Sequence, residues 1–407
     1  MLAPERRTRT DIAVAVAIVV ALAIAAVTIW LHSDARGTTS ITASTPASPL
    51  PSAASVPTSL TRAWTATSGA TESPIAVNGV VATADDGTVT GRDPRTGKQL
   101  WSYQRNMPLC GAISAWATVV AVYRDRRGCS QVTELAASDG SRQASRNSDA
   151  DNTVQLSTDG TYVLASGPTR LEMWRSDLVR TVEYGRVDAP VNPKSQPRTG
   201  CKHTSAASSP SRLWVLEQCP NEPVERLTVL NPAPKDATKP EEYTSTMLVN
   251  LSPGVPGARI LVASEDRVAI YLPGDGHSGT QSIGVFDSTD NEVAQYPVPP
   301  MSADATAATV GTAQTLWTGN AVIAWDPTQL ASVWTFNGAL GPGALMAGRL
   351  LVPVAAGIAV LEPATGQQIG LIPLHRDKAS GPITTAVAGS IVIEQQGNQV
   401  TAWRPAS

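Results

Sequence analysis

Residues able to do chemistry are few and scattered. Four cysteines, Cys110, Cys129, Cys201 and Cys219, carry the only thiols, and none of their spacings is of the Cys-x-x-Cys type that holds zinc. Of the histidines at 32, 203, 277 and 375, only His203 lies close to a cysteine. The sequence has no His-Glu-x-x-His, no Gly-x-Ser-x-Gly elbow and no phosphate-binding Gly-x-x-x-x-Gly-Lys-Ser/Thr. Asp287, Asp290 and Glu292 stand at partial calcium-loop spacing. The glycine and distal glutamate that complete an EF-hand are missing, so a solvated turn is expected there. No catalytic, cofactor-binding or metal-binding residue is assigned, and no cofactor is expected.

The elements that must carry these residues are short strands. From Trp64 onward, apolar runs of four to eight residues alternate with turn signals, which is the all-β pattern. Valine, alanine and threonine are abundant, with 31 glycines, 31 prolines and only 2 phenylalanines. The formal net charge is −3 with 16% charged residues, so the chain lacks the basic excess that nucleic-acid binding needs. Arginine outnumbers lysine and alanine is very common, as in proteins of GC-rich genomes such as actinobacterial ones.

Before the strands comes an apolar run, Ile12 to Leu31, long enough for a hydrocarbon core of roughly 30 Å. Arg6, Arg7 and Arg9 precede it, and Arg36 is the only fixed positive charge between it and Ser59. The expectation is a single-pass anchor in a cell membrane, with the N-terminus cytoplasmic and the rest extracytoplasmic. A cleaved signal peptide is the alternative, but its apolar region is shorter, about 7–15 residues, and Val27-Thr28-Ile29-Trp30-Leu31 is a poor cleavage site. Gly37 to Ser59 is rich in Ser, Thr, Pro and Ala without hydrophobic periodicity, and is expected to be a disordered or extended tether. The organisation is thus a tail over 1–11, a transmembrane helix over 12–31, a linker over 32–60 and a folded region over 61–407.

One stretch repeats through that folded region. Gly91-Arg92-Asp93-Pro94-Arg95-Thr96-Gly97-Lys98-Gln99-Leu100-Trp101 reads as the end of a strand, a tight turn and the start of the next strand. It resembles the repeat of the pyrroloquinoline-quinone-like (PQQ-like) β-propellers, roughly Ala-x-Asp-x-x-Thr-Gly-Lys-x-x-Trp. Equivalent turns fall at Asp93-Pro94, Asp139-Gly140, Arg175-Ser176-Asp177, Asn231-Pro232, Asp287-Ser288, Asp326-Pro327, Glu362-Pro363 and Arg404-Pro405. Their mean spacing is about 44 residues, the length of a four-stranded blade. Strands A to D run from the axis outward, with these turns joining C to D. The last unit stops without an outer strand, and Thr61 to Ser68 reads as an orphan one, so the N-terminal strand should complete the eighth blade. The fold expected is an eight-bladed propeller.

The resemblance implies architecture rather than reaction. Quinoprotein dehydrogenases of the family carry a bridged pair of adjacent cysteines, a calcium ion and a catalytic aspartate, whereas no two cysteines are adjacent here. The non-enzymatic eight-bladed members are envelope assembly scaffolds, and a protein- or envelope-component-binding scaffold is the function expected. A degenerate quinoprotein or glycan-acting enzyme is the alternative.

In such a meander the D-to-A and B-to-C loops share one face of the disc and the A-to-B and C-to-D turns share the other. The longer loops, at 124–128, 186–203 and 272–279, all belong to the first face, which makes it the candidate binding surface. Its residues include Arg124, Arg126, Arg127, Lys202, His203, Asp275 and His277. Of three possible disulfide pairings, Cys110 with Cys129 and Cys201 with Cys219 keeps each bridge within one blade on that face.

Overall fold

The computed structural model describes residues 8–31, 33, 36–248, 251, 255, 257–274, 280–311, 313–376 and 381–406. Eight antiparallel sheets follow one another around a ring, and the fold is the expected eight-bladed β-propeller. Blade 1 is built from Ile75–Val77, Val80–Asp85, Thr88–Arg92 and Gln99–Arg105, strands A to D. Blade 7 repeats the order with Ala344–Met346, Arg349–Val354, Gly357–Leu361 and Gln368–Pro373.

Alternation of side chains explains why the middle strands are apolar throughout. In strand B of blade 2, Thr118–Asp125, residues Val119, Ala121 and Tyr123 pack on blade 1, whereas Val120 and Val122 pack on blade 3. Each sheet is therefore buried on both faces by its neighbours. The core is accordingly divided into eight clusters, one per interface. Outer strands lie at the rim, and Arg142–Asn147 alternates exposed with half-buried side chains.

The repeated turn locks one blade to the next. The Asp93 carboxylate accepts the amides of Arg95 and Thr96 at 3.0 and 2.8 Å, and Gly97 takes φ +71°. The Trp64 indole, from the neighbouring blade, donates to the Pro94 carbonyl at 2.9 Å. A β-carbon on Gly97 would lie 2.6 Å from the Trp64 ring. The same pairing recurs between Trp101 and Gly140 and between Trp334 and Gly366, with indole bonds to Ala137 and Pro363. These tryptophans are packing elements.

Ring closure is also as expected. Leu60–Thr67 pairs antiparallel with Gln399–Pro405, from Leu60 opposite Pro405 to Thr67 opposite Gln399, and so supplies strand D of blade 8.

An exposed helix, Arg9–Leu31, precedes the ring, three residues longer than the expected span. The Thr8 hydroxyl accepts the Asp11 amide and the Asp11 carboxylate accepts the Thr8 amide, a reciprocal N-terminal cap. It is long and apolar enough to cross a membrane.

The segment between helix and ring, expected to be a disordered or extended tether, lies against the ring. Thr38–Ile41 forms a fifth strand on the outer edge of blade 1, from Thr38 opposite Arg105 to Ile41 opposite Ser102. The Asn106 amide bonds the Gly37 carbonyl at 2.7 Å, on the D-to-A side of the disc. On the opposite face, the amides of Ala43 and Ala47 bond Asp139 and Ser138, both at 2.9 Å. Ala43 and Ala47 then pack on the blade 1–2 core, and Ala53 and Val56 on the blade 7–8 core. Residues 37–59 are thus a strap that runs down the rim and across the A-to-B and C-to-D turns. Small side chains permit this close course over backbone turns, where composition alone suggests a free coil.

Candidate interaction face and axial channel

Both disulfides form in the expected pairing and brace the D-to-A and B-to-C face. Cys110 and Cys129 join strands A and C of blade 2 across a Cα separation of 5.9 Å. Cys201 and Cys219 join the residue before strand A of blade 4 to the residue after strand B, at 4.1 Å. Cys201 and Cys219 also lie near Glu217, but sulfurs bonded to each other are not thiolate ligands, so this grouping is no metal centre.

Between the cysteines of blade 2, strands B and C are joined through Arg126 and Arg127. Asp125 organises the turn: it accepts the Arg127 amide at 2.7 Å, the Ser130 hydroxyl at 2.7 Å and the Gln131 amide group at 2.8 Å. Burial alone would raise its pKa, but these bonds outweigh burial and hold the carboxyl below its ordinary value. Arg127 leans towards Asp125, at 3.9 Å. Arg124 and Arg126 are exposed, and their guanidinium groups have no partner among the described residues.

The other expected face residues divide. Lys202 is exposed, but His203 is buried, stacked on Tyr184 with ring centroids 5.4 Å apart. His203 is therefore a core residue and not part of a binding surface. Burial lowers its pKa, favouring the neutral ring. Asp275 and His277 lie outside the described residues. The long 186–201 connection folds down the rim instead of spreading over the face. Asn192 and Ser195 bond Thr238 at 2.6 and 2.8 Å, and Arg198 bonds Glu217 and Glu242 at 3.0 and 2.5 Å.

Three features escaped sequence reasoning. Asp151 accepts both the amide and hydroxyl of Thr169, at 2.7 and 2.6 Å, and the Arg170 amide at 2.9 Å, fastening blade 2 to blade 3. Between the same blades Glu172 is buried among Arg170 at 2.6 Å, Arg146 at 3.0 Å and Arg180 at 3.3 Å, with bonds from Ser148 and Trp174. Burial opposes its charge, but Arg146 and Arg170 prevail and hold the carboxyl down to about 2. Glu394 is placed similarly between Arg376 at 2.6 Å and the Trp403 indole at 3.0 Å. The only available signal was a charge inside an otherwise apolar strand, as in Arg170–Trp174.

Around the axis the A strands leave a cavity of about 910 Å³. Its lining mixes aliphatic side chains with hydroxyls such as Ser157, Ser205 and Thr384, together with Glu72, Asp159 and Glu265. Glu72 lies on the D-to-A side, whereas Asp159 and Glu265 lie on A-to-B turns at the opposite mouth, so these acids do not converge. Asp287 and Asp290, the partial calcium-loop pair, are engaged in the turn itself and with Thr244.

These features define a disulfide-braced all-β propeller with an N-terminal apolar helix. No protein-family model and no curated protein matches the chain. Among solved structures it is similar to Saccharomyces cerevisiae Sqt1, at 10% identity with a TM-score of 0.53, over 88% of this chain and all of that one. The Neurospora crassa Pan2 WD40 domain matches at 11% identity and a TM-score of 0.43, over 87% of this chain and 98% of that one. Likeness at this identity concerns the fold alone.

Proposed function

We propose that the chain is a membrane-tethered, extracytoplasmic propeller of PQQ-like type that binds a protein or envelope component through its D-to-A and B-to-C face. The observation that carries this reading is the asymmetry of the disc. One face is braced by two disulfides and presents unpartnered guanidinium groups at Arg124 and Arg126, while the other is crossed by the strap. Rigid loops on a stable scaffold are where binding surfaces are built. The indole-on-glycine lock at three interfaces supports the PQQ-like type, and the apolar helix with the disulfides supports an extracytoplasmic setting. Scaffold function is favoured over catalysis because the channel acids sit at opposite mouths.

The test places a photo-cross-linking residue at Lys202 or Asn106 on the loop face, and at Arg95 or Lys98 on the opposite face, in the full chain in its native membrane. Discrete adducts from the first pair alone are expected. Adducts from the second pair alone would assign binding to the strapped face and sink the proposal.

A further inference from the structure

The point at which the chain joins the disc rules out one placement of the ring on the membrane. Leu31 ends the helix, and Gly37 is already bonded to Asn106 on the D-to-A side of blade 1. Five residues, 32–36, separate the helix end from that contact, and the six steps from Leu31 to Gly37, at no more than 3.3–3.6 Å each, span at most about 20–22 Å.

With the strapped face on the bilayer, Gly37 would stand above the full height of strand Gln99–Arg105, about 20 Å at 3.3 Å per residue. The Asp93–Lys98 turn adds to that height, and the headgroup layer above the helix end adds roughly 5–7 Å more. The spacer cannot cover this sum. With the loop face towards the bilayer, Gly37 lies on the near side and the spacer reaches easily.

The same contacts place the arginine turn at the tether. The Arg124 amide bonds the Pro108 carbonyl at 2.9 Å, in the loop whose Asn106 holds Gly37. Arg124 and Arg126 are thus among the exposed charges nearest the point of membrane exit, with Arg36 in the spacer itself. A guanidinium matches a phosphate bidentately, and each basic residue near an anionic bilayer strengthens attachment about fivefold.

We infer that the propeller is held with its D-to-A and B-to-C face towards the membrane, and that Arg124 and Arg126 bind the phosphate headgroups of anionic lipid. The inference rests on the reading of Arg9–Leu31 as an uncleaved anchor, and it names phospholipid as one envelope component that the loop face binds.

The experiment uses the full chain in vesicles carrying a headgroup quencher. All four cysteines are in disulfides, so a cysteine introduced by Asn106→Cys or Arg95→Cys is the single free thiol for a fluorophore. Deeper quenching at position 106 than at 95 is expected. Equal quenching, or deeper quenching at 95, overturns the orientation. In vesicles containing phosphatidylglycerol, adding Arg124→Gln and Arg126→Gln should lower the docked-to-lifted ratio by roughly 25-fold, and Arg124→Lys with Arg126→Lys should largely restore it. No difference between the glutamine and parent proteins overturns the lipid contact. Protein that washes off the vesicles before labelling overturns the anchor, and the inference with it.

Discussion

Glu172 shows how much a blade interface can depend on one charge. Replacing it by glutamine leaves Arg146 and Arg170 buried against a neutral group, and removing one partner of such a cluster costs about 3–5 kcal/mol. Chemical denaturation of the full chain in detergent should show that loss near neutral pH. The carboxyl is held at about 2 against an ordinary 4.5, so its contribution is complete above 4.5 and is lost as the pH falls through about 2. The stability gap between parent and Glu172→Gln should therefore shrink over that window, and a gap constant down to pH 2 would mean that the charge is not what matters. Gly140 and Gly160 provide a second test at this scale. Both have positive φ, +75° and +88°, so alanine strains the backbone at either. A β-carbon at Gly140 meets Trp101 at 2.6 Å, while one at Gly160 meets nothing within 4 Å. Gly140→Ala should be the more destabilising by about 1–3 kcal/mol, and equal losses would deny the indole lock its role.

Among the elements, the loop-face bridges are expected to act on stability. Replacing Cys110 and Cys129 together by alanine opens a bridge between residues 19 apart, worth about 3 kcal/mol on the chain-entropy account, and a fall in melting temperature of the oxidised protein would report it. These bridges, the blade order and the closing strand were legible because turn residues recur at a mean of about 44 residues and because each cysteine pair falls within one blade. The strap was not legible. Its Pro- and Ser-rich composition carries no strand or helix periodicity, yet Thr38–Ile41 pairs as a strand and Ala43, Ala47, Ala53 and Val56 find apolar ground. His203 was misplaced by a single register step: Lys202 points outward, and the next residue in a strand points the other way. The charge clusters stayed hidden because Arg146 and Glu172 are 26 residues apart and meet only when two blades are laid side by side.

At the scale of the molecule, the ring has an asymmetry of faces that the repeat alone does not create. The repeat builds eight similar sheets, whereas the strap, the bridges and the arginine turn break the likeness and make one side distinct. Closure by Leu60–Thr67 against Gln399–Pro405 also has a bearing on the protein's birth. Domains assemble from the N-terminus as the nascent chain emerges, but here an early strand belongs beside one made more than 330 residues later. Thr38–Ile41 finds its partner after 67 residues of synthesis, on the pairing of Thr38 with Arg105. Leu60 must wait for Pro405, and until that residue is made the Leu60–Thr67 strand is unpaired and blade 1 lacks the blade 8 cover on one face. The period of greatest exposure to aggregation therefore falls just before the Gln399–Pro405 strand is made, when seven blades can already stand and the ring still gapes at one seam.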